Sequence, residues 1–177
     1  MSGRIVITGA GGQLGGCLAA QATDQGRNVL ALTSAQWDIT DPAAAEAIVK
    51  SGDVVINCAA YTDVDGAESD QARAYAVNAA APEHIARACA RAGARLIHVS
   101  TDFVFAGDFR SAEPRPYEPS DETSPRGVYA TRPTKTAAPT YFLSTPSGLS
   151  SAASYAPDTT RTSRFHLQVI ACSSRPF

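Results

Sequence analysis

A glycine-rich turn near the start of the chain joins a strand-like segment to a helical one. Residues 4–8 (RIVIT) form a short β-branched run that is typical of a buried parallel strand, and apolar side chains at helical spacing predict a helix over residues 13–25. Gly9, Gly12 and Gly15 lie between or just inside these elements, in a Gly-x-x-Gly-x-x-Gly pattern. A strand that enters a helix through such a turn predicts a β-α-β unit, and therefore a parallel sheet.

Strand and helix patterns continue to alternate up to about residue 105. Further strands are predicted at residues 29–32, 53–57 and 96–100, and further helices at residues 43–50 and 69–92, the last with an interruption near residues 78–82. The order β-α-β-α-β-α-β predicts an α/β fold in which a doubly wound parallel sheet is covered by helices on both faces.

The composition changes after residue 122. Residues 1–122 contain 16 acidic and 9 basic residues, whereas residues 123–177 contain one acidic and 6 basic residues, which together give the net charge of −2. Ser, Thr and Pro supply 24 of the last 55 residues, and only residues 165–172 resemble a strand. We therefore expect an incomplete α/β domain at residues 1–129 and an irregular, poorly ordered tail at residues 130–177.

Several classes of protein are excluded by composition. The nearly balanced charge gives no reason to expect a nucleic-acid partner. No apolar run approaches the roughly 20 residues that span a bilayer. Because residues 1–4 run directly into the first strand, we expect no signal peptide. The four cysteines show neither zinc-site nor disulfide-framework spacing. We expect a cytoplasmic enzyme that binds neither nucleic acid nor membrane.

The glycine turn has the chemistry of a dinucleotide site. Gly9 permits a tight turn, Gly12 lets the backbone approach a pyrophosphate, and Gly15 lets the helix pack closely on the strand. The N–H groups at the helix N-terminus, at Gln13 and Leu14, then point at the phosphates with the positive end of the helix dipole. The alternative interpretation is a glycine-rich turn without a ligand.

The end of the second strand distinguishes between the two nicotinamide cofactors. An acidic side chain there would bind the ribose 2′-hydroxyl of NAD. Residues 33–36 (TSAQ) contain no acid, and the first one is Asp38. Nothing repels a 2′-phosphate and no arginine binds it, so the sequence favours NADP and leaves NAD open.

Four segments resemble the extended short-chain dehydrogenase/reductases, and among these the dTDP-4-dehydrorhamnose reductase family. They are residues 7–15, 38–41, 53–68 (DVVINCAAYTDVDGAE) and 74–105. The last of these segments ends in STDFVF. The run that begins NCAAYT is the most specific, and the resemblance extends over residues 4–129. It implies reduction of the 4-keto group of dTDP-4-dehydro-L-rhamnose by NAD(P)H, so that the partner is a small dTDP-sugar, and it implies a homodimer as one form of assembly.

The resemblance also implies cofactor contacts after the second and third strands. Asp38 and Ile39 would lie by the adenine, and Ala59, Ala60 and Tyr61 would line the cofactor.

Two catalytic residues follow from the same resemblance. Thr101 would form a hydrogen bond with the substrate carbonyl, and Tyr129 would donate the proton. Hydride arriving at a ketone leaves an alkoxide, which requires a hydroxyl acid and a second hydrogen-bond donor.

The sequence departs from the family after this tyrosine. These reductases carry a lysine four residues later, whose ammonium lowers the pKa of the tyrosine. Here Pro133 occupies that position. Lys135 is six residues away, which on a helix points it about 120° from Tyr129. We expect negligible reductase turnover from this chain.

The departure leaves alternatives open. The tail is either an out-of-frame or truncated end of a reductase gene, or a diverged native segment. A chain without the Tyr–Lys pair is also compatible with a non-catalytic nucleotide-binding protein, like the regulatory subunit of methionine adenosyltransferase. A third alternative, another nucleotide-sugar epimerase or dehydratase, is disfavoured by the NCAAYT run. A four-stranded sheet would leave an exposed edge.

The remaining polar and aromatic residues have structural interpretations. Asp63, Asp65 and Glu68 are expected in an acidic loop that either binds Mg²⁺ or is merely solvated. His98 and Trp37 are expected to pack in the interior.

Overall fold

The protein is an α/β structure built on one five-stranded sheet. The computed structural model describes residues 3–107, 121–122, 124, 126–130 and 168–173. The strands are β1 (Ile5–Thr8), β2 (Val29–Leu32), β3 (Val54–Asn57), β4 (Arg95–Ser100) and β5 (Gln168–Ser173), and their order in the sheet is β2-β1-β3-β4-β5. The first four strands are mutually parallel, which confirms the predicted doubly wound parallel sheet.

The helices connect these strands. They are α1 (Gln13–Asp24), α2 (Pro42–Ile48), α3 (Val64–Ser69), α4 (Gln71–Tyr75) and α5 (Ala81–Ala92). A π-helical turn, Ala76–Ala80, joins α4 to α5, where the sequence predicted an interruption. Pro82 has no N–H to donate to the carbonyl of Asn78, so the chain widens into a π turn before α5 continues.

The core lies between one face of the sheet and the helices α2 and α5. Val6, Val55 and Leu96 are adjacent in the parallel register and form an apolar row across β1, β3 and β4. All three are buried in one cluster with Ile85 of α5. Trp37 is 2% exposed and belongs to the same cluster, as predicted. Helix α1 packs against β1 and β2.

A partly buried ion pair fixes the amino ends of β1 and β3. Arg4 contacts the Asp53 carboxylate at 2.7 Å and also donates to the carbonyl of Ile48 at 2.9 Å. The same carboxylate accepts a hydrogen bond from the Lys50 amide at 2.9 Å. Arg4 also donates from Nε to Asp53 Oδ1 at 3.2 Å. Because Asp53 is 3% exposed, its three donors, Arg4 Nε, Arg4 Nη2 and the Lys50 amide, offset the free-energy cost of burying its charge.

The sheet has a fifth strand in addition to the four that the sequence predicted for the domain, and this strand covers β4. β5 pairs antiparallel with the whole of β4, from Arg95 opposite Ser173 to Ser100 opposite Gln168. Unpaired N–H and C=O groups on the outer side of β4 require partners, and residues 168–173 supply them from within the tail. The predicted strand at residues 165–172 is thus observed with shifted bounds, while residues 131–167 lie outside the described residues.

Within the described part of the chain, no helix is both long and apolar enough to cross a membrane.

Candidate functional site

The strand order creates a crevice at the carboxyl ends of β1 and β3. From β1 the chain passes to β2 on one side, and from β2 it crosses to β3 on the other side. Doubly wound sheets bind ligands at such a reversal, because the loops that follow the two central strands diverge there. The loop after β1 carries Gly9 and Gly12, and the loop after β3 carries Ala59 and Ala60, so the fold brings these predicted site residues together.

The glycine turn is closely packed, and two of its positions admit no side chain. Gly9 has φ +64°, and a Cβ there would lie 2.7 Å from the Ala59 amide nitrogen. A Cβ on Gly15 would overlap the carbonyl oxygen of Gly9 and lie 2.8 Å from its carbonyl carbon. The Gly12 amide donates to that same carbonyl at 2.9 Å, which closes the turn. The glycines therefore permit a tight turn and a close helix–strand contact, as their spacing predicts.

Helix α1 presents unused hydrogen-bond donors to the crevice. Its N-cap residue is Gly12, which has no side chain to cap the helix, and the first helical bond runs from the Gly16 amide to the Gly12 carbonyl at 2.9 Å. The amides of Gln13, Leu14 and Gly15 donate to no group among the described residues. Three such amides at the positive end of a helix dipole fit a diphosphate.

A buried polar pair holds the two loops in place. Thr8 Oγ1 donates to Asn57 Oδ1 at 2.5 Å, and the Ala59 amide donates to the same Oδ1 at 3.2 Å. Thr8 and Asn57 are each 1% exposed. Because the Ala59 amide can only donate, the oxygen of Asn57 must face it, and Asn57 Nδ2 therefore faces His98 Nδ1 at 3.0 Å. The His98 nitrogen that faces Asn57 is then an acceptor.

No role for Thr8 or Asn57 was predicted from the sequence. The available signal was a polar residue at the last position of two apolar strands. The structure places these two residues in direct register, Thr8 opposite Asn57.

The π-helical turn fixes the loop after β3 at its far end. The side-chain amide of Asn78 accepts from the Tyr61 amide at 2.8 Å and donates to the Tyr61 carbonyl at 3.0 Å. The guanidinium of Arg73 lies 6.0 Å from the centroid of the Tyr61 ring. Ala59 and Tyr61 are thus held at the crevice, with the exposed Ala60 between them.

The end of β2 adjoins the glycine turn. The Ala10 amide donates to the Leu32 carbonyl at 3.0 Å, and a Cβ on Gly11 would lie 3.7 Å from Thr33 Cγ2. Thr33 donates to Gln36 Oε1 through both its amide and its hydroxyl, at 3.0 Å each. The segment 33–36 is therefore an uncharged polar turn.

Asp38 and Ile39 differ in exposure. The Ile39 side chain is 7% exposed and belongs to the core, so only its backbone is accessible to a ligand. Asp38 is exposed and accepts from the hydroxyl of Thr40 at 2.6 Å and from its amide at 2.9 Å. These two hydrogen bonds, the hydroxyl first, lower the pKa of Asp38 below its ordinary value.

Thr101 and Tyr129 are linked through Phe103. The Phe103 amide donates to Thr101 Oγ1 at 3.3 Å, and the rings of Phe103 and Tyr129 meet edge to face at 5.5 Å and 85°. Tyr129 lies in a 3₁₀ turn, Val128–Ala130. An open cavity of about 430 Å³ is lined by Val64, Glu68, Phe103, Phe105, Ala106, Gly107, Arg126, Gly127 and Tyr129.

No lysine is near Tyr129 among the described residues. Lys50 follows α2 and donates from Nζ to the Ala47 carbonyl at 2.6 Å. Pro133 and Lys135 lie outside the residues that the structure describes.

The expected acidic loop is wrong, because its residues form the helix α3. Asp63 is the N-cap, and its carboxylate accepts from the Gly66 amide at 2.9 Å. The helix was not predicted because Gly66 lowers the helix propensity of this segment. Asp63 was the available signal, since an acid is a preferred N-cap residue. Glu68 accepts from the Val128 amide at 2.9 Å. Among the described residues, no three His, Cys, Asp or Glu side chains are arranged to hold a metal ion.

Comparison with known proteins agrees with this geometry. Residues 3–138 match the RmlD substrate binding domain. The chain belongs to the dTDP-4-dehydrorhamnose reductase family. It is 77% identical over 129 residues to the dTDP-4-dehydrorhamnose reductase of Mycobacterium tuberculosis and 57% identical to that of Mycolicibacterium smegmatis. The resemblance seen in the sequence is therefore confirmed. The matches cover 73% of this chain but only 42% and 38% of those reductases, so the chain spans about two fifths of their length.

Solved structures of the reductase family share the fold. A dTDP-4-dehydrorhamnose reductase from Bacillus anthracis in complex with NADP superposes with a TM-score of 0.66 at 33% identity, over 73% of this chain and 46% of that one. An orthologue from Clostridium acetobutylicum gives 0.65 at 36% identity, over 72% and 45%. The UDP-glucose 4-epimerase of Thermus thermophilus in complex with NAD gives 0.63 at 20% identity, over 72% and 46%, a likeness of fold alone.

Proposed function

We propose that this chain is the dinucleotide-binding part of a dTDP-4-dehydrorhamnose reductase, which reduces the 4-keto group of dTDP-4-dehydro-L-rhamnose to dTDP-L-rhamnose. The observation that carries the proposal is the set of α1 amides at the carboxyl ends of β1 and β3, with no protein acceptor among the described residues. The 77% identity to a reductase of this name supports the choice of substrate.

The cofactor would lie across this crevice. Gly9, Gly12, Gln13, Leu14 and Gly15 would hold its diphosphate through backbone amides. Residues 59–61 would line it on the β3 side, and residues 38–39 would lie by the adenine. The uncharged turn at residues 33–36 neither repels nor neutralises a 2′-phosphate, so we expect NADP and NAD both to bind, with NADP preferred.

The catalytic residues would act at the ketone oxygen. The nicotinamide, when bound, supplies a hydride to the ketone carbon. Thr101 would hold the oxygen by a hydrogen bond as negative charge develops on it, and Tyr129 would give it a proton. The position four residues after Tyr129 holds Pro133 rather than the lysine that these reductases carry there. Proton transfer at neutral pH should therefore be slow, and turnover negligible.

The proposed function also includes a cellular location and an oligomeric state. We expect the protein to act in the cytoplasm on a small dTDP-sugar, without nucleic-acid or membrane partners. A homodimer is the form of assembly that the resemblance implies.

A non-catalytic dinucleotide-binding protein is the second candidate function. Pro133 favours it, because a protein that binds the cofactor without using it needs no Tyr–Lys pair.

Calorimetric titration of the full chain with NADPH and with NADH tests the cofactor assignment. We expect saturable 1:1 binding of both, with NADPH the tighter. Failure of both dinucleotides to bind at millimolar concentration would contradict the proposal. NADPH oxidation that depends on added dTDP-4-dehydrorhamnose would exclude the non-catalytic candidate, and it would also contradict the expected negligible turnover.

A further inference from the structure

The carboxylate of Glu68 reaches across 60 residues of sequence to the turn that carries Tyr129. Its Oε1 accepts a hydrogen bond from the Val128 amide at 2.9 Å. Val128 is the residue immediately before Tyr129 and the first residue of the 3₁₀ turn. The N–H groups at the start of a helical turn have no partner within it, so an ionised carboxylate at this place acts as a cap supplied by a distant element.

Gly127 makes room for this carboxylate. A Cβ at that position would lie 3.2 Å from Glu68 Oε1 and would contact no other described atom within 4 Å. Such a distance is shorter than ordinary van der Waals contact, so a side chain there would move the carboxylate by a few tenths of an ångström. Glycine at position 127 and glutamate at position 68 therefore fit one another.

Glu68 is itself firmly placed. Its helix, α3, begins at the Asp63 cap and contains the fully buried Ala67, directly before Glu68. The next helix, α4, begins at Asp70, whose carboxylate accepts from the Arg73 amide at 3.2 Å. Both α3 and α4 pack against the Val128–Ala130 turn. The backbone that carries Glu68 is thus held by two capped helices beside the turn.

We propose that Glu68 is a positioning residue for Tyr129. Its carboxylate holds the Val128 amide, which sets the direction of the turn, and the phenol ring then meets Phe103 edge to face at the cavity. The proposal rests on the proposed function only for the role of Tyr129 as the proton donor. The same segment that lines the cofactor at Tyr61 ends in Glu68, so cofactor loop and proton donor are connected through one short helix.

Nuclear magnetic resonance on the isotope-labelled full chain, without cofactor, tests the proposal. Glu68→Ala should speed hydrogen exchange of the Val128 amide about tenfold, the effect of one charge-assisted hydrogen bond at an exposed site. It should also weaken the nuclear Overhauser contact between the rings of Phe103 and Tyr129. Glu68→Gln keeps an acceptor oxygen and should restore both signals to within threefold. Glu83→Ala is the matched control, since this partly buried glutamate pairs with Arg87 on its own helix.

A second variant keeps the test decisive if Glu68→Ala does not fold. Gly127→Ala should speed Val128 exchange with Glu68 intact, and in the Glu68→Ala background the same change should add less than twofold. Unchanged Val128 exchange and an unchanged Phe103–Tyr129 contact in Glu68→Ala would overturn the proposal, and so would equal effects of Glu68→Gln and Glu68→Ala. Calorimetric titration of the same samples with NADPH reports on the cofactor assignment separately, so either proposal can fail alone.

Discussion

Gly15→Ala should distort the glycine turn more than Gly16→Ala, which is the other glycine-to-alanine change in α1. The added Cβ would overlap the Gly9 carbonyl oxygen and lie 2.8 Å from its carbon, which is backbone and cannot rotate away. The turn or the helix must move by several tenths of an ångström to relieve this contact. Overpacking of this kind costs about 1–3 kcal/mol in the free energy of unfolding, which for a chain of 177 residues lowers Tm by roughly 2–12 °C.

The neighbouring glycine is a matched control. A Cβ on Gly16 would lie 3.3 Å from the Ala10 carbonyl oxygen, a tight contact from which a few tenths of an ångström of movement suffices. Alanine is also the better helix former, by about 1 kcal/mol. Gly16→Ala should therefore leave the free energy of unfolding within about 0.5 kcal/mol of the parent, because the two effects oppose each other.

Thermal unfolding and calorimetric titration with NADPH measure both consequences. Displacement of the Gly9 carbonyl also displaces the α1 amides from the diphosphate, so Gly15→Ala should weaken binding at least tenfold, and Gly16→Ala less than threefold. Equal Tm values and equal affinities for the two variants would refute the reasoning, since it depends on the different distances to the Gly9 and Ala10 backbones.

Three further outcomes follow from the described contacts. Asp53→Ala leaves a partly buried guanidinium and a backbone amide without their acceptor, and should lower the free energy of unfolding in urea by about 2 kcal/mol; a loss below 0.5 kcal/mol would contradict this. Because the pKa of Asp38 is lowered, its carboxylate stabilises the fold above pH 3.8, and this contribution is lost as the pH falls through the folded-state pKa. Thr40→Val should raise the folded-state pKa of Asp38, as measured in a carboxyl titration by nuclear magnetic resonance. An unchanged pKa would exclude the Thr40 hydroxyl as the cause. Burial raises the pKa of Cys58 to about 11, so about 0.1% of it is thiolate at pH 8, and mass spectrometry should show iodoacetamide modifying the exposed Cys17 well before it.

Much of the parallel sheet could be predicted, because its signals are local in sequence. Strand β1, the glycine turn and α1 are specified by adjacent residues. The Asp41–Pro42 pair is a local start signal for α2, and the Asp41 carboxylate accepts from the Ala43 amide at 2.9 Å as the N-cap. The roles suggested for Gly9 and Gly15 need only a tight turn and a close contact, and both are properties of the local backbone.

The features that could not be predicted depend on tertiary pairing. Antiparallel addition of residues 168–173 to β4 satisfies backbone groups and leaves no side-chain pattern beyond a short strand signal. The Thr8–Asn57 hydrogen bond requires the register of β1 against β3, which no local segment contains. Helix α3 was missed because Gly66 interrupts its propensity, while the Asp63 cap and the buried Ala67 stabilise it in the folded chain.

The proposed cofactor crevice and the turn that carries Tyr129 are therefore held by different kinds of structure in this chain. The crevice is built from parallel neighbours, β1 and β3, whose loops are joined by the buried Thr8–Asn57 pair and closed by Asn78. The turn that carries Tyr129 is held by an exposed carboxylate hydrogen bond, one ring contact and packing against α3 and α4. Exposed hydrogen bonds contribute less to stability than buried ones in a packed sheet. The catalytic turn should consequently open at lower denaturant concentration than the cofactor crevice, and NADPH binding should outlast the Phe103–Tyr129 contact as urea is added.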